Sequence, residues 1–311
     1  PAPGHYNHAI MSPRASASLH GRSNSVARLA LTAVATFVLG ATCSPRAAVT
    51  ADVRLVAATL PTPAHVVVVV EENQPAGGII GNSSAPYINS LAKGGALMTQ
   101  SYAITHPSEP NYLALFAGNT LGLTSDACPV DGGAAPNLAS ELLAAGQTFT
   151  GYSEDLPSVG STTCVSGKYA RKHAPWVNFT NVPAAASVPF SSFPTPSDYA
   201  SLPTVAFVIP NLDHDMHDGS VAQGDAWLND NLSAYAAWAK ANNSLLVLTW
   251  DEDDNSESNR IPTIFYGANV NTGTYDQPIT HYNVLSTLQQ MYGLNTTGNA
   301  ATAPAIAGIW A

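Results

Sequence analysis

Four consecutive carboxylates, Asp251 to Asp254, follow an apolar run that begins at Leu245. An apolar run without alternation is typical of a strand that is buried on both faces of a sheet. Because open α/β sheets bind ligands beyond the carboxyl ends of their strands, these acids are candidates for a cation site. Taken alone, however, the four acids fit a solvated acidic turn equally well.

A calcium loop of the D-x-D-x-N kind is a second interpretation of residues Asp251 to Asn255. Such a loop requires glycine where this chain has Ser256, and it closes with glutamate where this chain has Pro262. The pattern therefore disfavours a calcium loop and leaves the end of a buried strand as the better explanation.

Two other apolar runs also end in side chains that bind metals or transfer protons. The run His65 to Val70 leads into acids and an amide, and the run Thr204 to Ile209 leads into the segment 210–218, which is rich in aspartate and histidine. The carboxyl ends of parallel strands lie on one edge of a sheet, so we expect the three clusters to converge. The predicted ligands of a divalent cation are Glu72, Asn73, Asp251 and Glu252.

Ser108 lies between Pro107 and Pro110, ahead of a helical stretch from Leu113 to Ala117. The prolines fix the loop, and the free N–H groups at the start of the helix would face an anion bound there. Ser108 is therefore a candidate nucleophile or a further metal ligand. An ordinary helix N-cap is the structural alternative for this serine.

Several histidines stand near these clusters and could protonate a leaving group or bind a phosphoryl oxygen. His106 and His217 are beside the predicted site, and for His217 a functional role is favoured over a structural one. His214 and His281 are candidates for substrate binding, with a structural role equally open for both.

The charge balance limits the partners of this protein. Only 10% of the residues are charged, the formal net charge is −10 and the pI is near 5.2, which argues against a nucleic-acid-binding protein. An anionic substrate would be repelled unless a metal or a local basic group reversed the field. Lys168 and Arg171 could contact a polyanionic headgroup, although an exposed basic turn explains these residues better.

The amino-terminal region has the features of a targeting segment. Arginines precede the apolar run Leu29 to Ala41, which is too short to cross a membrane but suits the core of a signal peptide. Translation could begin at Met11. We expect a secreted monomer with at most peripheral membrane contact. The predicted division is a leader over residues 1–51, a flexible stem over 52–63 and a single domain over 64–311.

The cysteines agree with an oxidising compartment. Once Cys43 is removed with the leader, Cys128 and Cys164 remain as an even pair. A disulfide between them would close a loop of about 37 residues and stabilise the fold by about 3–4 kcal/mol on the chain-entropy estimate.

The order of the predicted elements indicates an α/β fold. Helical spacing from Gln223 to Lys240 separates the strand that ends at Ile209 from the strand that begins at Leu245. This strand–helix–strand order implies a parallel pair with a right-handed crossover. Further predicted elements are helices over 85–93, 137–146 and 281–292 and a strand over 261–266. We therefore expect a central, mostly parallel sheet flanked by helices.

The combined motifs resemble the acid phosphatase and phospholipase C superfamily, and the resemblance runs from about Ala64 to Trp310. The segments that carry it are Glu72-Asn73, His106-Pro-Ser-Glu-Pro-Asn-Tyr112, Asp215-Met-His-Asp-Gly-Ser220 and Thr249-Trp-Asp-Glu252. The segment Gln74 to Ile80 lacks the Ser-Phe-Asp-His sequence that is typical of the phospholipase branch. This departure lowers the expectation that the protein cleaves phosphodiesters.

The resemblance implies an alkaline-phosphatase-like fold and a site around one metal ion. Its substrates would be phosphomonoesters, among them phosphatidylinositol 3-phosphate. Ser108 would be the nucleophile, next to a metal held by the four strand-end ligands already predicted. The groups around the phosphate would be His106, Asp215 and His217.

We therefore expect a secreted phosphomonoesterase that depends on one divalent ion, which could be calcium, magnesium or zinc. A phospholipase C-type phosphodiesterase is the first alternative. The second alternative is a secreted protein that binds calcium or a phosphoinositide headgroup without catalysing a reaction.

Overall fold

The computed structural model describes residues 60–311. The predicted leader and residues 52–59 of the predicted stem lie outside the described residues. Residues 60–63 of that stem are tied to the domain, since the Thr62 hydroxyl donates to the Met291 carbonyl over 3.0 Å. The Tyr292 hydroxyl likewise donates to the Pro63 carbonyl over 2.9 Å. The compact domain therefore includes the end of the segment that the sequence assigned to the stem.

The strands and helices alternate along much of the chain. The strands are β1 (His65–Glu71), β2 (Ala96–Met98), β3 (Ser101–Tyr102), β4 (Phe149–Ser153), β5 (Val165–Ser166), β6 (Tyr169–Ala170), β7 (Ser187–Pro189), β8 (Val205–Ile209), β9 (Ser244–Trp250), β10 (Thr263–Gly267), β11 (Gly273–Tyr275) and β12 (Ile279–Thr280). The α-helices are α1 (Ala76–Ile79), α2 (Pro86–Gly94), α3 (Ser108–Ala117), α4 (Leu138–Ala144), α5 (Val221–Ala241) and α6 (His281–Met291). Across 60–311, none of these helices has the length and apolar character needed to cross a membrane.

Eight strands form the central sheet in the order β11-β2-β10-β9-β1-β8-β4-β7. Strands β9, β1, β8, β4 and β7 run parallel, whereas β10 is antiparallel to both of its neighbours. The prediction of a mostly parallel sheet flanked by helices is confirmed. Since β8 and β9 lie on either side of β1, the carboxyl ends of all three strands are adjacent.

Strand β1 is at the centre of the sheet, and its valines are fully buried on both faces. Val66, Val68 and Val70 belong to the core cluster that includes α3 and α6, whereas Val67 and Val69 belong to the cluster that includes α2 and α5. Burying one such side chain stabilises the fold by about 1.5–3 kcal/mol. This two-sided burial explains why the run has no polar alternation.

Helix α5 connects β8 to β9 and also completes the start of another helix. Ser220 and Gln223 form a capping box at its first turn. The carboxylate of Asp225 accepts hydrogen bonds from the Tyr87 and Ile88 amides over 3.1 and 2.8 Å. The amino-terminal amides of α2 are therefore capped by a side chain from α5.

The segment between α3 and β8 contains α4 and the sheet strands β4 and β7, and the rest of it consists of loops, short 3₁₀ turns and the small hairpin β5–β6. The predicted disulfide between Cys128 and Cys164 is present there. Between residues 183 and 203 only β7 and short turns occur.

Candidate active site

The residues that follow β1, β8 and β9 are joined by backbone hydrogen bonds. The Asp251 amide donates to the Glu71 carbonyl over 3.0 Å, and the Glu72 amide donates to the Asp215 carbonyl over 2.7 Å. The Asn73 amide donates to Asp251 Oδ1 over 3.1 Å. The structure therefore brings together the three strand ends that the sequence singled out.

Ser108 begins helix α3, and its side chain points at this cluster. Its hydroxyl donates to Glu72 Oε2 over 3.0 Å, and the residue is only 1% exposed. The N-cap position belongs to Pro107, so the ordinary N-cap explanation of Ser108 is wrong. The helix offers fewer free amides than the sequence suggested, since the Glu109 amide donates to Asp126 over 3.0 Å and Pro110 has none.

His173 joins two of the carboxylates and was not singled out in the sequence. Its Nε2 lies 3.1 Å from Glu72 Oε1, and its Nδ1 lies 3.3 Å from Asp215 Oδ2. Burial, followed by the charge of Lys172, holds the pKa of His173 well below its usual range. A neutral imidazole has one N–H group, so it cannot donate to both carboxylates at once.

Three buried oxygens in the cluster have no hydrogen-bond donor within residues 60–311: Asn73 Oδ1, Asp215 Oδ2 and Asp251 Oδ2. Buried polar atoms are normally paired, and carboxylate and amide oxygens suit a divalent cation. One ligand atom from each of Glu72, His173 and Asp215 lies within 4.8 Å of the other two. These residues therefore fit a metal ion, which would give the unpaired oxygens a partner.

The carboxylates of the cluster are difficult to ionise without such a partner. Burial raises the pKa of Asp215 to about 7. Burial also raises the pKa of Asp251 to about 7, against the opposing effect of hydrogen bonds from Asn73 and Ser108. The pKa of Glu72 is raised well above its usual range, first by burial and then by the charge of Asp251. A bound cation would favour the charged forms of all three acids.

Glu252 and His106 form a pair next to the cluster. Glu252 Oε2 lies 2.9 Å from His106 Nδ1 and accepts a hydrogen bond from the Asn111 amide group over 3.2 Å. His106 Nε2 lies 3.3 Å from Asp253 Oδ1. Burial, and after it the charge of Asp251, raises the pKa of Glu252 to about 8. Glu252, predicted as a metal ligand, is therefore next to His106, while Asp215 and His173 each place one ligand atom within 4.8 Å of Glu72.

His217 lies at the half-exposed edge of the cluster. Its amide donates to Asp215 Oδ1 over 2.8 Å, and its Nδ1 lies 2.8 Å from Asp218 Oδ1. The intervening Met216 has a φ of +78°, which is strained for a residue with a side chain. This turn sends Asp215 into the buried cluster and leaves His217 facing solvent.

The structure places His281 and His214 away from the surface of the cluster. His281 is 1% exposed, burial lowers its pKa to about 4, and its Nε2 donates to the Asp251 carbonyl over 2.7 Å. This hydrogen bond therefore fixes the backbone of Asp251. His214 Nδ1 lies 2.9 Å from Glu154 Oε2, and its ring stacks on Trp227.

The basic segment does not form an exposed turn along its whole length. Lys168 is exposed and bridges Asp213 and Asp218 over 2.6 and 3.1 Å. Arg171 is buried and donates to the Thr162 carbonyl and to Asn178 Oδ1 over 2.9 and 3.0 Å. The expectation that Arg171 is exposed is wrong, since its guanidinium holds neighbouring loops together.

Tyr112 is another member of the site to which the sequence analysis gave no role. Its hydroxyl donates to Glu72 Oε1, and its ring stacks on His173 with centroids 5.0 Å apart. Tyr112 lies in the segment that carries the family resemblance, one helical turn after Ser108, and that spacing is a usable signal. His173 follows no buried strand and belongs to no periodic pattern, so the sequence offered no comparable signal for it.

The fold is that of an alkaline-phosphatase-like α/β protein. An alkaline phosphatase superfamily protein from Vibrio parahaemolyticus superposes with a TM-score of 0.55 at 13% identity, covering 80% of this chain and 72% of that one. The chain belongs to the Phosphoesterase family, whose profile matches residues 78–295. The predicted superfamily and the prediction that the protein is a phosphate-ester hydrolase are confirmed.

Two curated relatives with phosphatase names are similar to this chain in sequence. The chain is 70% identical over 259 residues to a phosphatidylinositol-3-phosphatase of Mycobacterium tuberculosis, covering 83% of this chain and 87% of that protein. It is 32% identical over 227 residues to a phosphate-repressible acid phosphatase of Penicillium chrysogenum, covering 68% of this chain and 55% of the fungal protein. The match to the mycobacterial protein thus extends over most of both chains.

Proposed function

We propose that this protein is a secreted, metal-dependent phosphomonoesterase that uses Ser108 as its nucleophile. The observation that carries the proposal is the position of the Ser108 hydroxyl, which bonds to Glu72 inside a ring of buried acids with unpaired oxygens. Phosphoryl transfer depends mainly on positioning and electrostatic stabilisation, and this ring offers a place for both. The disulfide supports export to an oxidising compartment.

One divalent ion, which could be calcium, magnesium or zinc, would be held by the buried cluster. The groups that fit it are Glu72, Asn73, His173, Asp215 and Asp251. When bound, such an ion lowers the pKa of a coordinated hydroxyl and offsets charge on phosphoryl oxygens. An imidazole ligand favours zinc among the three candidates, whereas an all-oxygen set suits calcium or magnesium.

The side chains of this protein have separate roles in the proposed reaction. Glu72 accepts the hydroxyl proton of Ser108 as the serine oxygen bonds to phosphorus and the ester oxygen leaves. His217, oriented by Asp218 at the edge of the cluster, protonates the departing alkoxide. His106, paired with Glu252, faces the same site and assists water in releasing phosphate from the serine.

The substrate we propose is a phosphoinositide phosphorylated at the 3-position. The 70% identity to a mycobacterial phosphatidylinositol-3-phosphatase supports this choice over a soluble phosphomonoester. Release of phosphate from phosphatidylinositol 3-phosphate in vesicles should exceed release from the 4-phosphate isomer. Cleavage of phosphatidylcholine to diacylglycerol at a comparable rate would replace the proposal with a phospholipase C.

Replacing Ser108 by alanine tests the nucleophile. Hydrolysis of p-nitrophenyl phosphate should fall by at least about 10³-fold, because the proposed phosphoenzyme forms on the Ser108 oxygen. Ser101→Ala is the matched control, since Ser101 is equally buried but bonds to Thr263 outside the cluster. Near wild-type turnover in Ser108→Ala, with circular dichroism showing a folded protein, would remove Ser108 from the mechanism.

A further inference from the structure

A cavity of about 300 Å³ lies among residues that the proposed mechanism does not use. One wall comes from the disulfide-closed segment, at 130–131 and 160–162, and the other comes from residues between 171 and 187. None of its lining residues belongs to the cluster of Glu72, His173 and Asp215. The volume is at the lower end of the range for small-molecule sites in proteins.

Three residues that line this cavity carry buried polar atoms without a partner. The atoms are Arg171 Nε, Trp176 Nε1 and Ser187 Oγ, and none finds a hydrogen-bond partner in the stretch from 60 to 311. The three residues are 7%, 1% and 3% exposed. Two of the atoms are N–H donors, and the hydroxyl can donate as well. An unpaired buried donor costs about 1–3 kcal/mol, so the site favours a ligand that brings acceptors.

Because Arg171 is positively charged, the acceptor atoms of such a ligand should be anionic. A guanidinium is always protonated, yet Arg171 forms no ion pair with any residue between 60 and 311. Its other nitrogens donate to carbonyls and to Asn178, which links it to Glu109 over 3.3 Å. Asp131 is the one acid among the lining residues, and it is exposed and accepts from the Gly133 amide. Because an uncompensated buried charge is costly and Glu109 reaches Arg171 only through Asn178, this position would favour a bound anion.

Apolar side chains form a large part of the remaining lining. Val130, Val177, Phe179 and Val182 line the cavity beside the three polar groups. We propose that this cavity binds a small organic oxyanion, with its carboxylate or phosphoryl head on Arg171 and its apolar body against these walls. The ligand is distinct from the substrate, since Asn178 and Glu109 stand between the guanidinium and Ser108 in the chain of contacts.

The test uses benzoate and phenylphosphonate as the two candidate heads, with uncharged benzamide as the control. Each is titrated into the full protein while the Trp176 indole N–H resonance is followed by NMR. The expected result is a saturable shift with a Kd in the millimolar range or below for at least one anion, and at least about tenfold weaker binding of benzamide. The anion that binds more tightly identifies the head group.

Two variants connect the signal to the cavity. Ala184→Trp blocks the rim at an exposed lining position and should weaken anion binding at least about tenfold. Ala185→Trp changes the neighbouring exposed residue, which does not line the cavity, and should bind as the parent does. No saturable shift with either anion, equal binding of benzamide, or equal effects of the two variants would overturn the proposal and leave water as the partner of these donors. Because the experiment measures binding, its result does not depend on the role of Ser108 or on enzymatic activity.

Discussion

The central sheet and the inserted segment between β4 and β7 contribute different groups to the site. The ends of β1 and β9 supply Glu72 and Asp251, which follow strands paired in parallel register, and the turn after β8 supplies Asp215, whose carbonyl accepts from the Glu72 amide. The inserted segment supplies His173, the imidazole that lies between two of these carboxylates. Charge is therefore placed by the most rigid part of the molecule, and the group that joins the charges comes from loops.

The two regions should therefore differ in how much each contributes to activity. Glu72 and Asp251 directly follow strands that are held by ladder hydrogen bonds, so we expect these two acids to keep their spacing whether or not a cation is bound. The loop that carries His173 is held by the buried guanidinium of Arg171 and by the stack on Tyr112. Variants in the two regions should therefore lose activity to different extents.

The largest effect is expected at the sheet. Asp251→Asn removes one charge from the ring of acids, and hydrolysis of p-nitrophenyl phosphate at saturating metal should fall by about 10³-fold. Asp254→Asn, in an exposed acid three residues later, should change the rate by less than about twofold. Equal effects of the two variants would show that the acids act only through the general field of the protein.

A smaller loss is expected in the inserted segment. His173→Ala removes a group that lies on Glu72 and Asp215, and both metal affinity and turnover should fall by about 10–100-fold. His65→Ala is the control, because His65 lies at the opposite end of β1, beside Pro203. A greater loss of turnover in His173→Ala than in Asp251→Asn would show that the inserted segment contributes more to activity than the sheet does.

The smallest expected effect is on stability, and it arises from the buried acids Asp215, Asp251 and Glu252. The folded-state pKa values of Asp215 and Asp251 are raised to about 7, and that of Glu252 to about 8, far above their unfolded values. The folded protein without metal then binds more protons than the unfolded chain, so its stability falls as the pH rises through about 7 to 8.

Thermal melts in EDTA should therefore show a Tm that is higher at about pH 6.5 than at about pH 8. Saturating metal should reduce or reverse this dependence, since it favours the ionised acids. At the acidic end of this window His173 and His281 oppose the trend, since they are neutral in the folded protein but begin to protonate in the unfolded chain at about pH 6.5, and the three acids with raised pKa values outweigh them. A Tm in EDTA that rises with pH across this window would contradict the raised pKa values.

The sequence predicted the sheet edge well because buried strands leave a clear local pattern. Apolar runs mark β1, β8 and β9, and the rule that parallel strands end on one side converts three separate segments into one site. The antiparallel direction of β10 was not predictable in this way, since a short apolar run looks the same in either direction.

The start of α3 and the inserted segment were harder to predict. Pro107 and Pro110 indicated a loop, yet proline is tolerated in the first turn of a helix, so α3 begins at Ser108 rather than at Leu113. Arg171 and His173 read as part of a basic turn, because nothing in their neighbours reveals that both side chains are buried. Loop residues acquire such contacts from tertiary packing, which local sequence does not encode.

The cap that Asp225 places on α2 has a consequence for how the chain assembles. The bonded residues are separated by 138 and 137 positions, so the first turn of α2 lacks its partner until most of the domain has left the ribosome. A truncated chain that ends before Val221 would leave the Tyr87 and Ile88 amides open. Fragments that lack Asp225 should therefore fold less stably than the whole domain. Complete folding should require this contact of high sequence separation.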